Sequence, residues 1–233
     1  MSSYDAIAEL YDPWSASVVE DVAFYLEEAR NSCGPVVELG VGTGRIAVPI
    51  AADGICVIGV DSSRGMLDVC ARRAALAGVD LDLRVGDLRE PQVAERVPLV
   101  ICPFRSLLHM HTDEDRRRVF TAARDLLLPG GRFVFDVFTP AADDIEKTQG
   151  RWLEREPGIF EHAVWDESAR TLTLTVRGEE SETTMALAWL SPQEWRELLE
   201  DSGFTIEACY GWFDRSPHEG REDTVWIAQR PSS

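Results

Sequence analysis

Lysine is almost absent from this chain of 233 residues, in which Lys147 stands against 41 aspartates and glutamates. The formal net charge at pH 7 is −18. A surface that follows a phosphate backbone needs clustered lysines and arginines. The arginine run at residues 116–118 falls on a predicted helix, where a solvated face is the expected role. The composition therefore predicts no nucleic-acid partner.

Paired cysteines and long apolar runs are also absent. The cysteines are Cys33, Cys56, Cys70, Cys102 and Cys209. None forms a C-x-x-C pair, so we expect no disulfide framework and no metal site, and we expect most of these side chains to be buried thiols. No stretch approaches the ~18 to 20 uncharged apolar residues of a membrane helix. The N-terminus lacks a basic region followed by an apolar run, so we expect a cytoplasmic protein that does not bind membranes.

Short apolar segments alternate with helical patterns over the first 140 residues. Strands are predicted at 35–39, 55–60, 80–85, 97–103 and 132–138, and helices at 15–31, 44–53, 64–77 and 113–127. This alternation implies right-handed crossovers and a parallel sheet covered by helices on both faces. The sequence Leu128-Pro129-Gly130-Gly131 predicts a turn before the fifth strand.

The pattern changes after Pro140. Residues 151–190 contain period-two runs such as 171–176, which predict an antiparallel meander. A serine cap, a proline and a glutamate at 191–194 predict a helix start, and strands follow at 204–213 and 223–229.

The predicted fold is α/β, with a seven-stranded, mostly parallel, doubly wound sheet and an antiparallel β-meander insertion. We assign residues 1–34 to an N-terminal helical lid. Residues 35–140 and 191–230 form the cofactor-binding core, and residues 141–190 form the insertion, which would cover the substrate.

A glycine-rich loop follows the first predicted strand. Gly40, Gly42 and Gly44 permit a tight turn and the close approach of a ligand, and the next helix offers free N–H groups. The dinucleotide fingerprint is G-x-G-x-x-G, and Arg45 stands where its last glycine would be. Glu38 precedes the loop, and a carboxylate there would favour a cofactor with a cationic amino-acid end over a pyrophosphate.

The segment from Glu38 to Gly44 resembles the first motif of the class I methyltransferases, whose E/D-x-G-x-G-x-G loop holds S-adenosylmethionine. Asp61 ends the second strand, where a carboxylate can accept both ribose hydroxyls. The following run, which includes Ser62 and Met66, is similar to the D-x-S-x-x-M-L run of the family. The resemblance implies that this methionine packs against the adenine.

The resemblance continues at the next two strand ends. Asp87, between Gly86 and Leu88, matches the family's aspartate for the adenine amino group. Residues 102–106 match the segment that lines the gap between cofactor and acceptor, and include Phe104. Members that methylate DNA bases or glutamine often carry N-P-P-F/Y there. This chain lacks the asparagine, which disfavours those substrates.

The expected cofactor is therefore S-adenosyl-L-methionine, with S-adenosyl-L-homocysteine as its product. The residues expected to bind it are Glu38, Gly40, Gly42, Gly44, Asp61, Ser62, Met66, Gly86, Asp87, Leu88 and Phe104.

Aromatic residues are the candidates for the acceptor side. Tyr4 and Tyr11 belong to a Y-D-x-x-A-x-x-Y-D pattern that is familiar in small-molecule methyltransferases. They could close the site or simply staple the first helix. Trp152 and Trp165 in the meander could form an aromatic wall over a planar acceptor, or pack against the core. Arg105 completes the predicted substrate residues.

Methyl transfer requires mainly alignment of the reacting atoms and exclusion of water. For an oxygen acceptor a base helps, and His109 and His111 follow the fourth strand, with Tyr11 as a further candidate. A capping or packing role for the histidines is the alternative.

The expected function is N- or O-methylation of a small metabolite, with a heteroaromatic ring as one option, by a monomer or homodimer. Three alternatives stay open. They are a protein or nucleic-acid methyltransferase, a nicotinamide-dependent oxidoreductase and a cofactor-binding module without activity.

Overall fold

The computed structural model describes residues 3–17, 19–220 and 222–232. Met1, Ser2 and Val18 of the predicted lid and Arg221 of the predicted core lie outside this part, as does Ser233.

Eleven strands and seven α-helices are described in these ranges. The strands are β1 (Val36–Leu39), β2 (Val57–Asp61), β3 (Asp82–Val85), β4 (Val97–Cys102), β5 (Leu127–Phe138), β6 (Trp152–Glu156), β7 (Ile159–Asp166), β8 (Thr171–Arg177), β9 (Glu182–Ala188), β10 (Thr205–Tyr210) and β11 (Asp223–Gln229). The helices are α1 (Ala8–Trp14), α2 (Glu20–Ser32), α3 (Ala47–Ala52), α4 (Arg64–Ala77), α5 (Asp113–Leu126), α6 (Ala142–Thr148) and α7 (Pro192–Asp201). Ser3–Ile7 and Ser106–His109 are 3₁₀ helices.

Seven strands form one sheet in the order β10-β11-β5-β4-β1-β2-β3. The neighbours from β5 to β3 run parallel, whereas β11 is antiparallel to both β5 and β10. Alternate residues of β4 join opposite hydrophobic clusters. Leu99 and Ile101 pack with α2, α3 and α4, whereas Val100 and Cys102 pack with α5 and α7. The predicted doubly wound α/β sheet is confirmed, and it is buried on both faces as its apolar strands require.

Strand β5 begins five residues earlier than predicted. The register with β4 shifts from Val97↔Leu127 to Leu99↔Arg132, so the turn sequence protrudes as an irregularity within the strand. Gly130 adopts a φ of 78° there, and its N–H donates to the carbonyl of Arg230. The turn chemistry was identified correctly, but pairing with both neighbours extends the strand through it.

The second sheet is a four-stranded antiparallel meander in the order β6-β7-β8-β9. It lies inside the predicted insertion at 141–190, although the domain bounds themselves stay a prediction. Helix α6 precedes it and was not predicted. None of its residues is buried, so its sequence lacks the apolar periodicity that predicts a helix.

The cysteines divide in their exposure. Cys70 and Cys102 are buried, whereas Cys33 and Cys56 are exposed. The expectation that most of the cysteines are buried is therefore wrong. Within the described ranges, none of the helices combines the length and apolarity needed to cross a bilayer.

Phe120 of α5 provides a test of the packing on one face of the large sheet. Its side chain is fully buried and contacts the rings of Phe133, Phe135 and Trp195. We expect Phe120→Ala to lower the free energy of unfolding by about 3–5 kcal/mol, because it leaves a cavity among these rings. Urea unfolding measures this effect.

The matched control is Leu76→Ala on α4, because Leu76 is 90% exposed. We expect its effect to stay within about 0.5 kcal/mol. Equal losses for the two variants would contradict the described core.

Candidate active site

The glycine loop bends directly after β1. Gly40, Gly42 and Gly44 have φ values of 77°, 53° and 78°, which L side chains rarely adopt. A β-carbon on Gly40 would lie 2.8 Å from the Ser106 Oγ, and one on Gly44 would lie 2.6 Å from the Cys70 Sγ. The loop therefore needs glycine for both conformation and space.

Asp61 at the end of β2 is bonded to this loop. Its Oδ2 accepts a hydrogen bond from the Gly42 N–H at 2.9 Å, and its Oδ1 accepts one from the Ser63 N–H at 2.8 Å. Burial raises the pKa of the Asp61 carboxyl, and these backbone donors oppose that shift. They stabilise the carboxylate form at the carboxyl edge of the sheet.

Glu38 on β1 is a buried carboxylate that lacks a complete set of partners. The residue is 2% exposed, and its Oε2 accepts no hydrogen bond from any described residue. Burial raises the pKa of Glu38 well above its ordinary value, and the Arg45 guanidinium acts in the opposite direction. An unsatisfied buried carboxylate is costly, so a cationic donor reaching this oxygen would be stabilising.

A cavity of 220 Å³ opens beside the loop, and we call it the loop cleft. Its lining residues are Ser3, Tyr4, Tyr11, Gly40, Gly42, Asp61, Ser62, Met66, Asp87, Leu88, Phe104, Ser106, His109 and Met110. Eight of the residues predicted to bind a cofactor are in this set. Glu38, Gly44 and Gly86 are not in it. The two glycines face packed side chains, among them Cys70 and Val60, and Glu38 is buried on β1.

Asp87 at the rim of the loop cleft is already paired. Arg89 contacts both carboxylate oxygens, at 2.8 Å through Nε and at 2.7 Å through Nη2. This guanidinium lowers the pKa of Asp87. The Oδ1 also accepts the Arg89 backbone N–H at 2.8 Å, so the second lone pair of Oδ2 is the one left for a further hydrogen bond.

The N-terminal segment is fastened across the loop cleft by two aspartates. Asp5 accepts hydrogen bonds from the Ser63 Oγ at 2.6 Å and the Gly65 N–H at 3.1 Å. Asp12 accepts one from the Thr43 Oγ1 at 2.6 Å and pairs with Arg73 at 2.6 Å. The adjacent residues Tyr4 and Tyr11 are two helical turns apart and line the loop cleft.

A second cavity of 420 Å³ lies between the two sheets, and we call it the inter-sheet cavity. Alternate residues of the meander line it, as period-two geometry requires. These are Leu153 and Arg155 on β6, Glu161, Ala163 and Trp165 on β7, Leu172 and Leu174 on β8, and Met185 and Leu187 on β9. Trp14, Trp212 and Phe138 contribute further rings.

The loop cleft and the inter-sheet cavity share Tyr4, Phe104 and His109. The Tyr4 hydroxyl lies 2.9 Å from the His109 Nε2 and 3.1 Å from the Met185 Sδ. Burial lowers the pKa of His109 to about 4, and His111 adds to the shift. His109 is therefore a neutral imidazole at physiological pH.

Of the predicted site residues, Glu38, Gly44, Gly86, His111 and Trp152 line neither cavity. His111 is exposed, and its Nε2 lies 3.0 Å from the carbonyl oxygen of Ala186 on β9. Trp152 is on the opposite face of the meander, where its ring contacts His162 and lies under the Arg177 guanidinium at 4.0 Å. Arg105 and Trp165, by contrast, line the inter-sheet cavity.

Several residues of the site were not predicted. Asp21 is fully buried and forms a bidentate pair with Arg45 at 2.7 and 2.6 Å. The Arg45 guanidinium lies 4.7 Å from the centre of the Phe104 ring. Asp136 is buried at the end of β5, next to the segment after β4. Asp136 could have been predicted, because it is an acidic residue near the end of an otherwise apolar strand.

Residues 36–131 match the family described as a methyltransferase domain. A putative methyltransferase of Geobacillus sp. (strain WCH70) is 23% identical over 240 residues, which cover 94% of this chain and 93% of that protein. The dTDP-4-amino-2,3,4,6-tetradeoxy-D-glucose N,N-dimethyltransferase of Saccharopolyspora spinosa is 26% identical over 224 residues, covering 89% and 86% of the two chains.

The fold is also that of a solved S-adenosylmethionine-dependent methyltransferase from Clostridium acetobutylicum. The TM-score is 0.82 at 15% identity, over 99% of this chain and 100% of that one. These similarities are to methyltransferases. They therefore do not support the two alternatives of a nicotinamide-dependent oxidoreductase and a cofactor-binding module without activity. The methyltransferase-domain match at residues 36–131, the relatives named as methyltransferases and the shared fold together support a class I S-adenosylmethionine-dependent methyltransferase, and so an enzyme.

Proposed function

We propose that the enzyme methylates a nitrogen or oxygen atom of a small metabolite held in the inter-sheet cavity, with S-adenosylmethionine held in the loop cleft. The observation that carries this proposal is the wall common to both cavities. Tyr4, Phe104 and His109 contact each of them, so a donor and an acceptor would meet there.

The side chains that line the loop cleft, together with Glu38 two residues before the glycine loop, fit this cofactor. Glu38 has a buried, unpartnered oxygen for a cationic group, and Asp61 retains lone pairs for hydroxyl donors. Met66, Leu88 and Phe104 offer apolar surface for a base. When bound, S-adenosylmethionine supplies an electrophilic methyl group, and the protein has to align the nucleophile and exclude water.

The inter-sheet cavity suits a metabolite better than a macromolecule. Its volume of 420 Å³ falls within the ~300–1,000 Å³ of small-molecule sites. Trp14, Trp165 and Trp212 offer flat surfaces for a planar group. The meander covers the cavity, and the net charge of −18 opposes the approach of nucleic acid.

A basic amine is the favoured nucleophile because acidic side chains outnumber basic ones around the inter-sheet cavity. The acidic residues are Asp21, Asp136, Asp144, Glu161, Glu222 and Asp223, and the basic ones are Arg105, Arg151 and Arg155. Arg105 pairs with Asp223 at 2.7 Å, Arg155 with Glu161 at 3.1 Å and Arg45 with Asp21 at 2.6 Å. Asp136, Asp144 and Glu222 are then set against Arg151, which leaves a net negative charge. The Saccharopolyspora relative acts on an amino sugar, which agrees with this choice.

His109 is the proposed base. Its neutral imidazole is bonded to Tyr4 at the wall between the two cavities. It could receive a proton from an acceptor amine directly or through the Tyr4 hydroxyl.

Glu38→Gln tests the cofactor assignment. We expect the dissociation constant for S-adenosylmethionine to rise about 10- to 100-fold, equivalent to ~1.4–2.8 kcal/mol, because a charged hydrogen bond is lost. Titration calorimetry measures it. Glu114→Gln on α5 is the control, because Glu114 is exposed, whereas Glu38 is buried two residues before the glycine loop.

The stability of the wild type and of Glu38→Gln, both without ligand, shows whether the substitution affects binding or folding. The pKa of Glu38 is raised in the folded state, so its ionisation costs stability as the pH rises above the ordinary glutamate value. Glu38→Gln removes that cost and should leave the unliganded protein at least as stable near pH 7. A less stable variant, or one with unchanged affinity, would contradict the assignment.

His109→Ala tests the proposed base. We expect kcat at pH 7.5 to fall about 100-fold, whereas His111→Ala should keep kcat within about 2-fold because it is exposed outside both cavities. After correction for protonation of the free acceptor amine, the wild-type kcat/KM should decline only as the pH approaches 4, the pKa to which burial lowers His109. Equal rates for the two variants would exclude His109 as the base.

A screen of acceptors tests the function itself. Purified protein with radiolabelled S-adenosylmethionine is offered small primary and secondary amines, matched alcohols, a protein extract and nucleic acid. We expect label transfer to amines, with alcohols slower. Transfer confined to the protein or nucleic-acid fraction would replace the proposal with a macromolecule methyltransferase. Calorimetry with NAD in parallel is expected to show no binding.

A further inference from the structure

The segment after β4 contains two consecutive residues with left-handed backbone. Phe104 has a φ of 54° and Arg105 a φ of 61°, and neither is glycine. L side chains disfavour this region, so two such residues in sequence need support from their surroundings.

The Asp136 carboxylate provides that support. Its Oδ1 accepts a hydrogen bond from the Phe104 N–H at 2.8 Å, and its Oδ2 accepts one from the Arg105 N–H at 3.1 Å. The Tyr25 hydroxyl of α2 donates a third bond to Oδ1 at 2.6 Å. Asp136 is 5% exposed, so these bonds are protected from competition with water.

This turn orients two side chains that line the inter-sheet cavity. The Phe104 ring belongs to the wall common to both cavities and contacts Tyr11 at 6.1 Å between ring centres. The Arg105 guanidinium lines the inter-sheet cavity, bonded to Asp223 and 4.9 Å from the centre of the Phe138 ring. A change in either backbone angle would move both side chains.

We propose that Asp136 is a positioning residue for methyl transfer, whose carboxylate holds the left-handed Phe104–Arg105 turn and thereby sets the alignment of donor and acceptor. This inference rests on the proposed function for its kinetic consequence. Its structural part, the clamped turn, is independent of the acceptor.

Asp136→Asn is the decisive variant. An amide of the same shape has one acceptor oxygen and one NH₂ group, so at least one of the two backbone bonds is lost. We expect the Phe104 and Arg105 amides to exchange with deuterium at least ~10-fold faster than in the wild type. Tyr25→Phe is the matched control. It removes one bond to the same carboxylate and leaves both backbone bonds, so exchange should stay within about 3-fold.

Turnover with the acceptor found in the screen supplies the kinetic readout. For Asp136→Asn we expect kcat to fall about 10- to 100-fold, as misalignment of reacting atoms predicts, with the dissociation constant for S-adenosylmethionine changed less than about 3-fold. Tyr25→Phe should retain kcat within about 3-fold.

A double-mutant cycle with Arg105→Gly tests whether the backbone carries the effect. Glycine adopts a φ of 61° without strain, so Asp136→Asn should cost at least ~3-fold less in kcat in that background than in the wild type. An equal cost in both backgrounds would overturn the alignment role.

The amide exchange separates the possible failures. Unchanged exchange in Asp136→Asn would overturn the clamp whether or not an acceptor is known. Faster exchange together with an unchanged kcat would overturn its role in alignment. A screen without any acceptor would count against the proposed function, while the exchange measurement would still decide the clamp.

Discussion

The reversal of strand order between β1 and β4 is the constraint on which this molecule depends. The chain builds β1, β2 and β3 in one direction and then returns to place β4 and β5 on the other side of β1. The segments after β1 and β4 therefore diverge at one edge of the sheet, and such a gap is where ligands bind in open α/β sheets. Each component described above is placed relative to that gap. The glycines permit the first segment to turn away, Asp61 bonds to it from β2, and Asp136 holds the segment on the other side.

Electrostatics favour a cationic ligand at this gap. Glu38, Asp21 and Asp136 are each at most 5% exposed, and Arg45 is the guanidinium that pairs with Asp21 beside them. Water cannot solvate these carboxylates, so the hydrogen bonds and charges around them decide their protonation. A ligand with positive charge replaces the missing solvent. An anionic pyrophosphate would add to the repulsion, which is why a glycine loop of this kind in these surroundings suits a sulfonium cofactor.

The sequence predicted the sheet, most helices and the loop cleft, because strand periodicity, cap residues and glycine spacing are local signals. The predicted helix at 64–77 agrees with α4 at both ends, and the cap at Ser191 begins α7 as predicted. Helix α6 was not predicted, because it buries no side chain. The role of Asp136 was not predicted either, because its partners are 31, 32 and 111 residues away in the sequence. The alternation of apolar and polar residues located the meander, but it did not predict which face of the meander would cover the cavity. Trp152 and Trp165 have opposite parity across the β6–β7 register, and only packing against the core decides between them.

The N-terminal segment belongs to both cavities. It supplies Tyr4 to both cavities and Trp14 to the inter-sheet cavity, where the Trp14 indole N–H donates to Glu161 on β7 at 2.6 Å. The Asp5 and Asp12 bonds attach this same segment to the residues around the loop cleft. One short stretch of chain therefore forms part of the wall of both cavities, so a change that detached it, such as loss of the Asp5 and Asp12 bonds, would open the loop cleft and the inter-sheet cavity together.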